Sequence, residues 1–207
     1  MTIELWLAFA LAAGIILVIP GPTILLVIGQ AATHGRASVV PLVVGVLCGD
    51  ALAMTLSLAG LGALMATSAL LFTVLKWIGA LYLICLGIRQ WRRQAEVPAP
   101  GRAVAVAPAA ILWRRAFVVT ALNPKSIAFF VAFLPQFVVS VAPVLPQLMV
   151  LGATFLILAT VNAAFYAIFA GQLSDTLSRG RVHRWFYRCG AGALIGAGLL
   201  TAGMKNR

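Results

Sequence analysis

The chain has 207 residues, of which 63% are hydrophobic and 9% charged, with a formal net charge of +11. Soluble domains carry about 25% charge, so the composition excludes a soluble enzyme, a disordered tail and, despite the positive charge, a nucleic-acid-binding domain. A membrane crossing takes about 20 mostly apolar residues, so six crossings would use roughly 120, nearly the whole apolar inventory.

In chain order, the first apolar run covers residues 3–32. Its sole early charge is Glu4, with no positive cluster before it and a Pro20-Gly21-Pro22 break behind it, so it reads as a retained span and not as a cleaved signal peptide. At about 1.5 Å per residue it would be roughly 45 Å long, too long for one straight crossing. A break near Pro20 explains the excess. Spans at 39–64 and 69–90 follow, then a Pro/Ala/Gly/Val-rich linker within 91–115, then spans at 116–138, 145–171 and 185–203. In lipid the backbone must pair internally, so every span is expected to be a helix.

Arg36 lies in the first gap, Arg89, Arg92, Arg93, Arg102, Arg114 and Arg115 flank the third, and Arg179, Arg181, Arg184 and Arg188 occupy the fifth; the second and fourth gaps carry no Lys or Arg. That alternation predicts cytoplasmic first, third and fifth loops and both termini outside, with Lys205 and Arg207 as a mild exception. Trp91, Trp113, Trp185 and Tyr187 fall at the cytoplasmic interface. The expected fold is an all-α integral membrane protein: three spans in 1–90, an Arg-rich cytoplasmic linker in 91–115, and three spans in 116–207. Three spans per half would make the halves an inverted repeat with broken helices 1 and 4, the plan of many secondary transporters. Cys48, Cys85 and Cys189 stand far apart in apolar runs, so neither a disulfide nor a metal site is expected.

Few polar side chains remain inside the spans, chiefly Asp50, Lys76, Asn123, Lys125, Gln136 and Asn162. Counted at about 1.5 Å per residue, Asp50, Lys125, Pro22 and Asn162 lie roughly 15 to 18 Å from the cytoplasmic side, near the midplane. Lys76 is close enough to the outer end of its span to snorkel outward. An ion at the centre costs about 2.5 to 3.5 kcal/mol on insertion scales, so Asp50 and Lys125 need partners or a wet cavity. They could pair with each other and only fix helix packing, or they could line a solute or proton pathway.

Proline removes a helix donor, which frees the carbonyls of Ile16 and Val18 in the first span and Thr120 in the fourth. Proline also suits the first turn of a helix and Asn its cap. Gly21-Pro22 and Asn123-Pro124 therefore read as starts of half-helices, each with about half a positive charge at its end. Two such ends with Lys125 beside them would trap an anion such as a carboxylate; two proline kinks with water between them are the plainer alternative. Gly45-x3-Gly49 would let a neighbouring helix approach closely.

The residues Pro20-Gly21-Pro22 with Val27 and Gly35-Arg36, Gly45-x3-Gly49-Asp50, Gly60-Leu61, Lys76-x2-Gly79-x2-Tyr82-Leu83-x3-Gly87, Leu122-Asn123-Pro124-Lys125-x3-Phe129-Phe130 and Leu134-Pro135-Gln136-Phe137 together resemble the LysE/RhtB-type amino-acid exporters, which include homoserine, threonine and leucine efflux proteins. The resemblance implies multi-pass residence in the bacterial inner membrane and export of amino acids or close analogues by proton antiport, with no cofactor. Thr23 stands where the family usually has a polar amide or acid, and Ser38 replaces a frequent glycine. Asp50 is unaccompanied by further intramembrane acids and Asn162 is neutral, which favours a neutral amino acid as substrate. The expected substrate site comprises Gly21, Pro22, Thr23, Asn123, Pro124, Lys125 and Asn162, with Asn123, Pro124 and Lys125 holding the carboxylate opposite backbone donors at Gly21 and Pro22, and Asp50 is expected to couple protons. Partners would be the amino acid, the proton and the bilayer, with no nucleic acid and with a homo-oligomer left open. A passive channel for small neutral solutes and a metal-ion exporter of related architecture are the competing readings. The second lacks the several Asp, Glu or His ligands such cations need, and no paired carboxylates, Ser/His/Asp set or phosphate loop point to an enzyme.

Overall fold

The computed structural model describes residues 1–67, 69–92, 107–139, 141–170, 172 and 180–203, and among these the regular structure is all helix. Residues 93–106 of the expected linker, Arg179, Lys205, Arg207 and the side chains of Lys76, Trp185 and Tyr187 lie outside this set. The helices are α1 (Ile3–Val18), α2 (Pro22–His34), α3 (Val39–Thr67), α4 (Ala69–Arg92), α5 (Ala109–Ala121), α6 (Pro124–Ala128), α7 (Val144–Ile168) and α8 (Gly180–Gly203). One 3₁₀ turn, Arg36–Ser38, joins α2 to α3, while α6 runs on through a π-helical turn, Phe129–Phe133, into a 3₁₀ turn, Leu134–Phe137.

The long first run is two helices, α1 and α2, bent by 53°. The fourth run also breaks, at Leu122-Asn123 between α5 and α6. It starts earlier than expected: α5 begins at Ala109, inside the stretch read as linker, and carries Trp113, Arg114 and Arg115 in its exposed first turns. The physical reason is that Arg can hold its charge in water from a helix end while its stem and a Trp ring lie along apolar surface. By length and hydropathy, Arg36–Gly60, Ala109–Phe137 and Val144–Ile168 can each cross a membrane, and the α1–α2 pair forms a fourth, broken span. The described apolar stretches of α4 and α8 are shorter, Trp77–Arg89 and Leu194–Gly203.

Leu7, Leu11 and Ile15 of α1 are each more than half exposed, a stripe at four-residue spacing that one face of a helix turns to its surroundings. Leu52 and Leu56 of α3 and Ile157 and Val161 of α7 continue this exposed apolar coat. In water such a coat would be costly; against lipid tails it is neutral.

Helix α3 packs on α5, α4 on α8, and α7 on α1, α2 and α3. The α3–α5 contact is backbone to backbone: a Cβ on Gly45 would stand 2.5 Å from the Trp113 carbonyl oxygen, and one on Gly49 would stand 2.8 Å from that of Phe117. Gly87 and Gly198 do the same for α4 and α8, against Ala191 O and Ala80 O at 2.7 Å each. The close approach at Gly49 brings the next residue, Asp50, against the α5–α6 break. Two buried clusters form the interior. Six rings, Phe9, Phe129, Phe130, Phe133, Phe137 and Phe155, dominate the first, and Ile24, Val27, Leu42, Val46 and Leu112 with alanines the second.

Candidate functional site

A helix leaves its last four carbonyls without intrahelical partners. At the end of α1, Pro20 has no N–H to offer Ile16, and Pro22 none to offer Val18. The structure satisfies all four carbonyls with side chains. Lys125 Nζ donates to Ile16 O and to Ile19 O, both at 3.0 Å. Asn162 Nδ2 donates to Leu17 O at 3.0 Å and the Tyr166 hydroxyl to Val18 O. The carbonyl end of a helix carries about half a negative charge, so the ammonium of Lys125 sits where that charge is concentrated.

The other side of the same break is the start of α2. Gly21 is its N-cap in extended backbone, Pro22 its first residue, and no side chain caps it. Pro22 has no N–H, so the backbone donors at this helix start are those of Gly21, Thr23 and Ile24. The start of α6 is different. Asn123 caps it, its Oδ1 accepting from Lys125 N at 3.0 Å with Pro124 as first residue. The Asn123 amide also donates to Thr23 Oγ1 at 3.1 Å, which the Thr120 hydroxyl meets at 3.3 Å. Asn123 thus ties the two breaks together through Thr23.

Asp50 approaches from α3. It is 3% exposed, it lines one cavity with Ser126, and its Oδ1 is enclosed without a hydrogen-bond partner. Among the described residues no carboxylate lies within ion-pair distance of Lys125; its hydrogen bonds go to carbonyls instead. The simple Asp50–Lys125 pair considered from the sequence is therefore not the contact that holds the lysine here.

Gly21, Thr23, Asp50, Asn123, Lys125 and Asn162 line one cavity with Leu17, Ile24, Val46, Ser126 and Ala159. Pro22 and Pro124, the first residues of α2 and α6, are not among the residues that line it. Leu17 and Ala159 belong to the phenylalanine-rich cluster and Ile24 and Val46 to the aliphatic one, so the cavity lies where the two clusters meet. Its room for water centres is about 30 Å³, enough for about two waters and too little for an amino acid. Sequence reasoning missed Ser126 and Tyr166. Tyr166 follows Asn162 by four residues and so shares its helix face, a signal that was available. No group of three or more His, Cys, Asp or Glu side chains gathers anywhere among the described residues.

A bundle of apolar helices with two broken spans, whose charged and amide side chains converge on one interior cavity, has the form of a membrane transport protein. The LysE type translocator family model matches residues 14–203, and the chain belongs to that family. It is 34% identical to an uncharacterized membrane protein of Vibrio cholerae over 99% of this chain and all of that one. It is also 34% identical to the homoserine/homoserine lactone efflux protein of Salmonella typhimurium, over 84% of each chain. A leucine efflux protein of Salmonella choleraesuis matches at 34% over 73% of this chain and 69% of its own. No solved structure matches.

Proposed function

We propose that the protein is a secondary exporter of neutral amino acids or close analogues, working by proton antiport in the bacterial inner membrane. The observation that carries this reading is the α1–α2 break. It turns the negative end of one helix and the uncapped positive end of the next toward a single cavity, beside a cation, two amides and a carboxylate with a free oxygen. A zwitterion needs both helix ends at once, whereas a neutral solute in a passive channel needs neither. Asn162 and Asn123 add uncharged donors, which suits a substrate without a charged side chain. The relative that exports homoserine and its lactone points the same way, because those two compounds share an ammonium group. Asp50 is the proton carrier in this reading: a buried carboxyl with one oxygen unpartnered is costly to keep ionised, so it can take up a proton and give it back in exchange for substrate in each cycle.

Six spans in a three-plus-three inverted repeat fit the packing. Exchanging span one with four, two with five and three with six turns the α3–α5 contact into the contact of α7 with the broken first span, and returns the α4–α8 contact to itself. The test is transport by the purified protein in proteoliposomes. Counterflow with a panel of labelled amino acids identifies the substrate, and an imposed pH gradient should then drive its accumulation uphill. Equilibration without accumulation under the gradient would mean a passive channel.

A further inference from the structure

The carbonyl end of α1 is held in an unusual way. Leu17 O and Val18 O take neutral donors from α7, but Ile16 O and Ile19 O share one ammonium, delivered by a lysine from the opposite half of the chain. A buried cation on a flexible stem is an expensive cap where an amide or hydroxyl would serve. Gly21 is shaped around it, since a Cβ there would lie 3.3 Å from Lys125 Nζ. Only Ile19, Pro20 and Gly21 separate this carbonyl end from the uncapped N-terminus of α2. An α-amino acid carries its ammonium and carboxylate on neighbouring atoms, so a single break of this kind presents both complements at the right order of separation. Asp50, with an enclosed and unpartnered oxygen, faces the same cavity.

We infer that the carbonyls of Ile16 and Ile19 are the ammonium subsite of the transporter, filled in this structure by the Lys125 side chain, which the substrate's own ammonium displaces. This rests on the reading of the protein as an amino-acid exporter and specifies which atoms take the amine. The displaced lysine then meets the substrate carboxylate at the start of α2, so the positive charge count at the break rises by no more than the negative. An empty carrier keeps its carbonyls satisfied and its cavity small; a loaded one trades an internal ammonium for an external one. A molecule with no ammonium has no means of releasing the lysine.

The experiment uses the full chain in nanodiscs and two probes, leucine methyl ester, which has the ammonium without the carboxylate, and N-acetylleucine, which has the reverse. Lys125→Met keeps the stem and leaves the two carbonyls vacant. The ester should bind this variant about tenfold or more tightly than it binds the parent, the value of a charge-assisted hydrogen bond no longer contested, while N-acetylleucine gains nothing. No gain for the ester, or an equal gain for both, overturns the inference. Should Lys125→Met fail to fold, Lys125→Ala is produced with propylammonium, which replaces the missing atoms, or with tetramethylammonium, which has no N–H. Recovery of folded protein by propylammonium alone supports the subsite, and recovery by both or neither contradicts it. Amino-acid counterflow by the parent is measured alongside. Its absence with the ester gain intact would remove the exporter reading and leave an amine site; its presence without the gain would remove the subsite alone.

Discussion

Replacing Tyr166 by Phe would leave the Val18 carbonyl, freed by Pro22, without the hydroxyl that now meets it. A buried acceptor stripped of its partner costs about 1 to 3 kcal/mol, so Tyr166→Phe should melt at a lower temperature than the parent in detergent; an unchanged Tm would show that the carbonyl finds another donor. Lys125 yields a sharper prediction. In the parent an amino acid should bind better than its ester by roughly 10- to 150-fold, the range for a hydrogen bond to a charged group. In Lys125→Met that ratio should collapse toward one. Competition against a labelled substrate measures both, and an unchanged ratio would mean that the lysine serves only the fold. The prolines made the freed carbonyls of Ile16 and Val18 legible from the sequence, because a missing N–H is a property of the residue itself. The donors that answer them were not, since Lys125 and Tyr166 come from more than a hundred residues away and only tertiary packing brings them there. The same limit applied to Thr23, which the sequence offered as a departure from a pattern and which is in fact the acceptor joining Asn123 and Thr120.

Among the elements, the α3–α5 pair decides where Asp50 stands. A methyl group at Gly49 would meet the Phe117 carbonyl oxygen at 2.8 Å and Thr120 Cβ at the same distance, and a backbone oxygen cannot turn aside as a side chain can. Gly49→Ala should therefore cost about 1 to 3 kcal/mol and move Asp50 away from Ser126. Thermal unfolding reads the first effect and loss of gradient-driven export the second; an alanine variant with parental Tm would mean the helices separate freely. Gly35, with φ at +68°, ends α2 in a conformation that side chains rarely adopt, and its carbonyl accepts the Ser38 hydroxyl at 2.6 Å. The helix breaks were readable because Pro, Gly and Asn act locally. The early start of α5 was not, because Trp113, Arg114 and Arg115 have the composition of a loop and the geometry of a helix end.

At the scale of the whole molecule, the cavity lies where the phenylalanine-rich and aliphatic clusters meet. In the proposed orientation, with the N-terminus outside, the first cluster would face outward and the second the cytoplasm, and alternating access would require each to open in turn. The orientation itself is testable: in a cysteine-free background, Arg102→Cys should resist a thiol reagent confined to the outside and react after permeabilisation, and labelling from outside would reverse the topology. The apolar inventory and the spacing of Arg made a multi-span helical bundle legible, while the meeting of two clusters at one cavity required the fold. Coupling of amino-acid export to protons at Asp50 is the central claim, and Asp50→Asn tests it most directly. In proteoliposomes the variant should still exchange labelled for unlabelled amino acid by counterflow and should accumulate none under an imposed pH gradient. Uphill accumulation by Asp50→Asn at the parental level would contradict the account.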